Sequence, residues 1–208
     1  MLWLEVVVTY EVVGAGRVVS RSVSVDPFVR NFREFLRGLM NPDYVAMFCR
    51  HTDGSSFQGR VRHPAGLGVS SGILDVMGGE GDHDVGIVVG SVQGSRDFNR
   101  CSLASRVDHE DDVFEYKAVE DLGFTTVGGN VVWRVRRAFD NLSTSPVNVW
   151  ESGVYASMIV TDATVDSPLA GLVMVALDVR DTAFVVEAGQ RLVVTYDFIL
   201  GMPPGWSL

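Results

Sequence analysis

Two acidic clusters, each holding a histidine, are the first places in this sequence where chemistry could occur. Asp108-His109-Glu110-Asp111-Asp112 and Asp82-His83-Asp84, the latter beside Glu80, combine carboxylates with imidazole. That donor set suits a divalent cation. Asp108, Glu110 and Asp112 are the ligands such a site would use, with calcium the ion to test. Against this, neighbouring side chains of an extended chain point opposite ways, so contiguous ligands rarely converge on one ion. The spacing of an EF-hand loop is absent, and solvated acidic loops are the plainer reading.

Other chemistries find less support. There is no G-x-S-x-G elbow and no H-E-x-x-H pair. Cys49 lies near His51, but a single residue separates them on a strand-like segment, which does not make a nucleophile and its base. Gly78-Gly79-Glu80-Gly81 lacks the lysine and the strand–helix frame of a phosphate loop. A carboxylate pair could cleave a glycan, yet nothing in the sequence selects the pair. The expectation is a protein that is not an enzyme, with no catalytic residues and no cofactor.

Composition narrows the partners. The chain has 208 residues and a formal charge of -9, from 26 acidic and 17 basic residues. A surface that acidic repels phosphate backbones, and no Lys/Arg-rich run offsets it, so nucleic acid is not an expected partner. The densest basic cluster is Arg134, Arg136 and Arg137; Arg134 and Arg136 alternate with valines, as on the wet face of a strand. Lys117 is the only lysine, which fits either a GC-rich genome or a salt-adapted protein. Cys49 and Cys101 form no disulfide framework and no CxxC pair. The start has no basic region followed by a long apolar run, so no signal peptide is expected. No apolar stretch reaches the roughly 20 residues of a membrane helix.

The elements that would position these residues are mostly strands. Leu2 to Tyr10 and Val18 to Val25 are β-branched and alternating, separated by Gly14-Ala15-Gly16, and predict a hairpin. Asp26 and Pro27 can start a helix, and Phe28, Phe32, Phe35, Leu36 and Leu39 follow at helical spacing. A helix over about 27–39 is expected, then a loop-rich insertion over about 41–84. Strands are predicted at Val85 to Gly90, within Val113 to Val127, at Asn130 to Asn141, Val147 to Tyr155, Leu172 to Leu177, Phe184 to Val186 and Arg191 to Leu200. Many short strands between Gly-, Asn- and Pro-rich turns predict one domain over 1–208, an all-β, jelly-roll-like antiparallel β-sandwich. Glu151, inside an apolar run, needs a partner, with Arg137 and Arg180 as candidates. Gly153 predicts a bulge or close backbone approach, Ala188-Gly189-Gln190 a hairpin turn, and Tyr196 a core position.

Several segments resemble a family of structural proteins from tailed bacteriophages and archaeal tailed viruses. The resemblance runs from Val85 to Leu200. It begins at Gly86-Ile87-Val88-Val89-Gly90, continues past Asp97 to Leu103, and includes Arg137-Ala138-Phe139-Asp140-Asn141-Leu142-Ser143, similar to an R-x-F-x-N-x-S step. Val147 to Tyr155 is similar to V-x-V-x-E-x-G-x-Y, and Leu177-Asp178-Val179 and Val186 to Tyr196 match R-D-V and V-x-x-G-Q-x-L-x-V-T-Y. Trp150 and Leu177 depart from the pattern. Ser24 to Leu36 is a weaker match. The resemblance implies a β-sandwich virion component in head decoration, neck or tail, made in the host cytoplasm, and supplies no catalytic residues. Its partners would be other copies of itself and other virion proteins, with no membrane. The alternative is a receptor- or glycan-binding module of a tail tip or spike, for which exposed Tyr44 and Phe57 would speak.

Overall fold

A computed structural model of the chain describes residues 3–25, 32, 49–57, 74–110, 113–161 and 168–201. Among these, the regular secondary structure is almost entirely β-strand. The strands are β1 (Trp3–Gly14), β2 (Arg17–Val25), β3 (Cys49–Arg50), β4 (Ser56–Phe57), β5 (Leu74–Asp75), β6 (Gly86–Gly90), β7 (Phe114–Tyr116), β8 (Glu120–Val127), β9 (Asn130–Asn141), β10 (Val147–Thr161), β11 (Pro168–Val186) and β12 (Arg191–Gly201). The helix expected over 27–39 lies outside the described residues except for Phe32, whose ring sits 6.4 Å from that of Phe198.

Two antiparallel sheets carry the fold. Sheet A runs β2-β1-β12-β9-β7, with β8 also pairing with β9; sheet B runs β11-β10-β5, with β6 also pairing with β10. A hairpin of β3 and β4 stands apart. Period-2 alternation explains sheet A. Val6, Val8, Tyr10 and Val12 of β1 and Leu192, Val194, Tyr196 and Phe198 of β12 are buried, and the residues between them are partly or fully exposed. One face is therefore core and the other solvated. The β8–β9 turn uses Gly128 and Gly129 at φ 58° and 82°. A tight hairpin needs two successive positive φ values there, which glycine adopts without strain.

Sheet B reads differently. Glu151 through Ala156 of β10 and Val173 through Val179 of β11 are all buried. One face meets sheet A: the Tyr10 ring stacks on Phe184 of β11 at 5.2 Å. The other face is covered by the segment after β6. Leu103 donates its backbone N–H to the Tyr155 hydroxyl at 2.8 Å. The expected close approach at Gly153 is real, since a Cβ there would lie 3.1 Å from Met174 Sδ and 3.3 Å from Leu103. The two separate strands expected at Leu172 to Leu177 and Phe184 to Val186 are one strand, β11. Its register against β10 skips between Val179 and Phe184.

A buried polar cluster pins the two sheets together. The Tyr10 hydroxyl donates to Asp178 Oδ2 at 2.5 Å and lies 2.7 Å from Ser152 Oγ, which lies 2.7 Å from the Tyr196 hydroxyl. Tyr10 and Tyr196 come from sheet A, Ser152 and Asp178 from sheet B. Directional bonds across the core select one lateral setting of the sheets, which apolar packing alone does not.

These tyrosines make stability fall at high pH. Burial, with Tyr196 and Asp178 nearby, raises Tyr10 well above the ordinary range. Burial also raises Tyr116 and pushes Tyr155 up to about 12. An unfolded tyrosine ionises near ~10. The folded state therefore holds these protons more tightly. The stability they contribute is complete below pH ~10 and falls above it, Tyr155's share being lost as pH rises through about 12. Tyrosinate absorbance should show these three ionising only as the fold opens. A fully developed tyrosinate signal in protein that still has folded circular dichroism would contradict this.

Candidate interaction surface

The acidic clusters are engaged within the chain. Asp108 Oδ1 accepts from Arg106 Nε at 2.9 Å, and the same guanidinium reaches Asp84 at 2.7 Å. Asp82 Oδ1 accepts the backbone N–H groups of Asp84 and Val85. Lys117 joins Glu80 at 3.1 Å and Glu115 at 2.6 Å. Glu110 pairs through its backbone with Phe114 and its side chain is exposed. Asp112 lies outside the described residues, as do His63 and Tyr44. Among the described residues no three His, Cys, Asp or Glu side chains stand together as a metal site. The Asp108 carboxylate is already paired with the Arg106 guanidinium.

His109 accepts the Tyr116 backbone N–H at 3.1 Å through Nδ1. The His51 ring packs where a side chain at Gly171 would go. Arg106, Asp84 and Asp108 line an open depression of about 490 Å³ together with Thr52, Asp53 and Tyr155.

Glu151 corrects the sequence reading. Its partner is neither Arg137 nor Arg180 but Arg100, whose Nη1 and Nη2 lie 2.7 and 3.1 Å from the two carboxylate oxygens. The Ala104 backbone N–H also donates to Glu151. Arg137 is fully buried and meets no carboxylate. Its Nε donates to Lys117 O at 2.6 Å, Nη1 to Val85 O and Ile87 O at 3.0 and 3.1 Å, and Nη2 to Gly79 O at 2.8 Å and to Asp82 O. Burial pulls its pKa down to about 10, which leaves it a cation at neutral pH. Arg180 lies over the Tyr10 and Phe184 rings and donates to Ser22 Oγ at 2.7 Å. Arg134 and Arg136 lie on the wet face as expected, paired with Asp197 and Glu120.

Exposed apolar surface gathers at the two lateral edges of sheet A. On β8, Leu122 is 45%, Phe124 76% and Val127 57% exposed. On β2, Val18, Val19 and Val23 are each about half exposed. Phe124 ends a row of stacked rings, 6.2 Å from Trp133, which is 5.0 Å from Phe198. The Trp133 indole N–H donates to Asp121 at 3.0 Å. Phe124 is thus an exposed ring resting against Trp133 at the end of the row. Sequence reading missed this edge because LGFTTV resembles a core strand. The signals were Glu120 and Asp121 at its start and Gly123 inside it, marks of an edge strand.

No protein-family model, no curated protein and no solved structure matches the chain.

Proposed function

We propose that this protein is a structural component of a tailed-virus particle, in head decoration, neck or tail, and that its work is assembly with copies of itself and with other particle proteins. The observation that supports assembly is the concentration of exposed apolar side chains, Leu122, Phe124 and Val127, on β8, an edge strand that pairs only with β9 among the described residues. Such an edge carries unpaired backbone N–H and C=O groups and is a template for pairing with another chain. Solvent-exposed apolar side chains on it are what a monomer's edge avoids. The placement in a virion rests on the resemblance of Val85 to Leu200 to tailed-virus structural proteins. A jelly-roll arrangement fits this role. β9 and β12 pair in sheet A while β10 and β11, between them in sequence, pair in sheet B, the nested step from which a jelly roll is wound.

The test is quantitative mass spectrometry of purified particles, as copies of this chain per copy of the main shell protein. On the order of hundreds of copies would mean a shell or decoration component, and a few to some tens a neck or tail component, by the symmetry of those assemblies. Absence from clean particles would overturn the virion reading.

A further inference from the structure

The two edges of sheet A differ in charge. β2, RVVSRSVSV, carries Arg17 and Arg21 and no acid. β8, EDLGFTTV, carries Glu120 and Asp121 and no base. Both expose apolar side chains among those charges. We infer that the β2 edge of one copy pairs with the β8 edge of a second copy, so that sheet A continues from subunit to subunit. This deepens the assembly reading and rests on it.

Charge decides which pairing forms. A two-fold dimer would set β2 against β2, or β8 against β8, and bring like charges together. Like charges facing across an interface disfavour that pairing. Pairing β2 with β8 brings arginines to carboxylates. That contact is heterologous, so it closes into rings or extends as a tube.

Register and face agree with it. From β2 to β8 the chain crosses four antiparallel pairings, through β1, β12 and β9, so β2 and β8 run in the same direction. A copy added edge to edge with its core face on the same side therefore pairs them in parallel. Within one copy, Val23 is level with Glu120, through Thr9, Thr195 and Arg136. A slide of two residues, roughly 7 Å, sets Arg21 beside Glu120 and Val23 beside Leu122. An even slide keeps side chains on their own face up to the bulge between Asp121 and Phe124, beyond which Phe124 lies level with Trp133 on the core side. Arg21 is already on the outer face with Glu11 at 3.3 Å, and Glu120 is there with Arg136. Leu122 lines a shallow outer depression with Thr9, Arg134 and Arg136. All four residues of the junction thus share the solvated face, and the junction lengthens an existing row of alternating charges.

Sedimentation and light scattering on the full chain test this. Two variants each block one edge: Leu122→Lys with Phe124→Lys repels Arg17 and Arg21, and Val18→Glu with Val23→Glu repels Glu120 and Asp121. All four sites are exposed, so both should keep the wild-type circular dichroism. Wild type should associate with rising concentration, and less so at high salt. Each variant alone should show a dissociation constant raised at least about tenfold. An equimolar mixture should associate again, because each supplies the edge the other lacks. A strictly monomeric wild type overturns the inference, as does a β2 variant that still dimerises through β8. Wild-type association untouched by either variant overturns the β2–β8 junction and leaves assembly standing. Recovery in the mixture, with the chain absent from particles, upholds the junction and removes the virion reading.

Discussion

Arg137→Met will lower the melting temperature by about 10 °C. The guanidinium satisfies five backbone carbonyls, from Gly79, Asp82, Val85, Ile87 and Lys117. Each buried carbonyl left without a donor costs about 1–3 kcal/mol, discounted where water can reach it. A total near ~4 kcal/mol corresponds to roughly 8–16 °C for a chain of this size. Three of the carbonyls, those of Gly79, Asp82 and Val85, belong to an irregular strap outside the strands, with no ladder of its own. A Cβ at Gly78 would collide with Val85 O, so the strap is folded tightly around the charge. Arg137→Lys keeps the charge but offers three donors, and should recover only part of the loss. A methionine variant that melts within ~2 °C of wild type would mean that the carbonyls find other donors, and the staple role would fall.

Glu151→Ala is expected to act on one face of sheet B. The Glu151 side chain is fully buried, and that of Arg100 is 12% exposed. Removing one member of such a pair leaves an uncompensated buried charge and costs about 3–5 kcal/mol. The covering segment, Ser91 to Val107, would lose its anchor at Arg100 and at the Ala104 N–H. Limited proteolysis should then cut within that segment under conditions where wild type resists, because local opening sets the cleavage rate. Arg100→Leu with Glu151→Leu should recover much of the stability, since neither charge is then buried alone. Unchanged melting and unchanged protease resistance in Glu151→Ala would show that the pair does not hold the segment down.

Both residues show where sequence reading reached its limit. The bounds of β9 were legible because its alternation is regular, and β12 ran one residue longer than its pattern, to Gly201. The same parity sets Arg137 on one face with Val135 and Phe139, inside the core. An arginine there contradicts apolar patterning, and the carbonyls that make it tolerable come from segments more distant in the chain. Glu151 was read correctly as needing a cation. Arg100 sits in a turn that nothing but three-dimensional folding brings to it. The ends of β10 and β11 were misjudged for a different reason. A sheet buried on both faces gives a continuous apolar run without alternation, so its strands carry no periodic marker of where they stop. Of the metal ligands considered, Asp108 pairs with Arg106, two residues away in the chain, Glu110 is exposed, and Asp112 lies outside the described residues.

The pairing of β1 with β12 constrains how the molecule comes into being. Trp3 aligns with Gly201 and Val13 with Arg191, so the centre of sheet A joins the earliest and latest parts of the described chain. Loop-closure entropy must be overcome before that ladder gives any return, which makes such high-contact-order topologies slow to fold. The β1–β2 hairpin can form as it leaves the ribosome, but β1 has no second neighbour until β12 has been synthesised. A nascent chain shows the β2 edge early, whereas β8 acquires its seat on β9 later, and β9 its place beside β12 last. The order of synthesis thus makes β12 the strand that closes sheet A, joining β1 to β9 only after both have been synthesised.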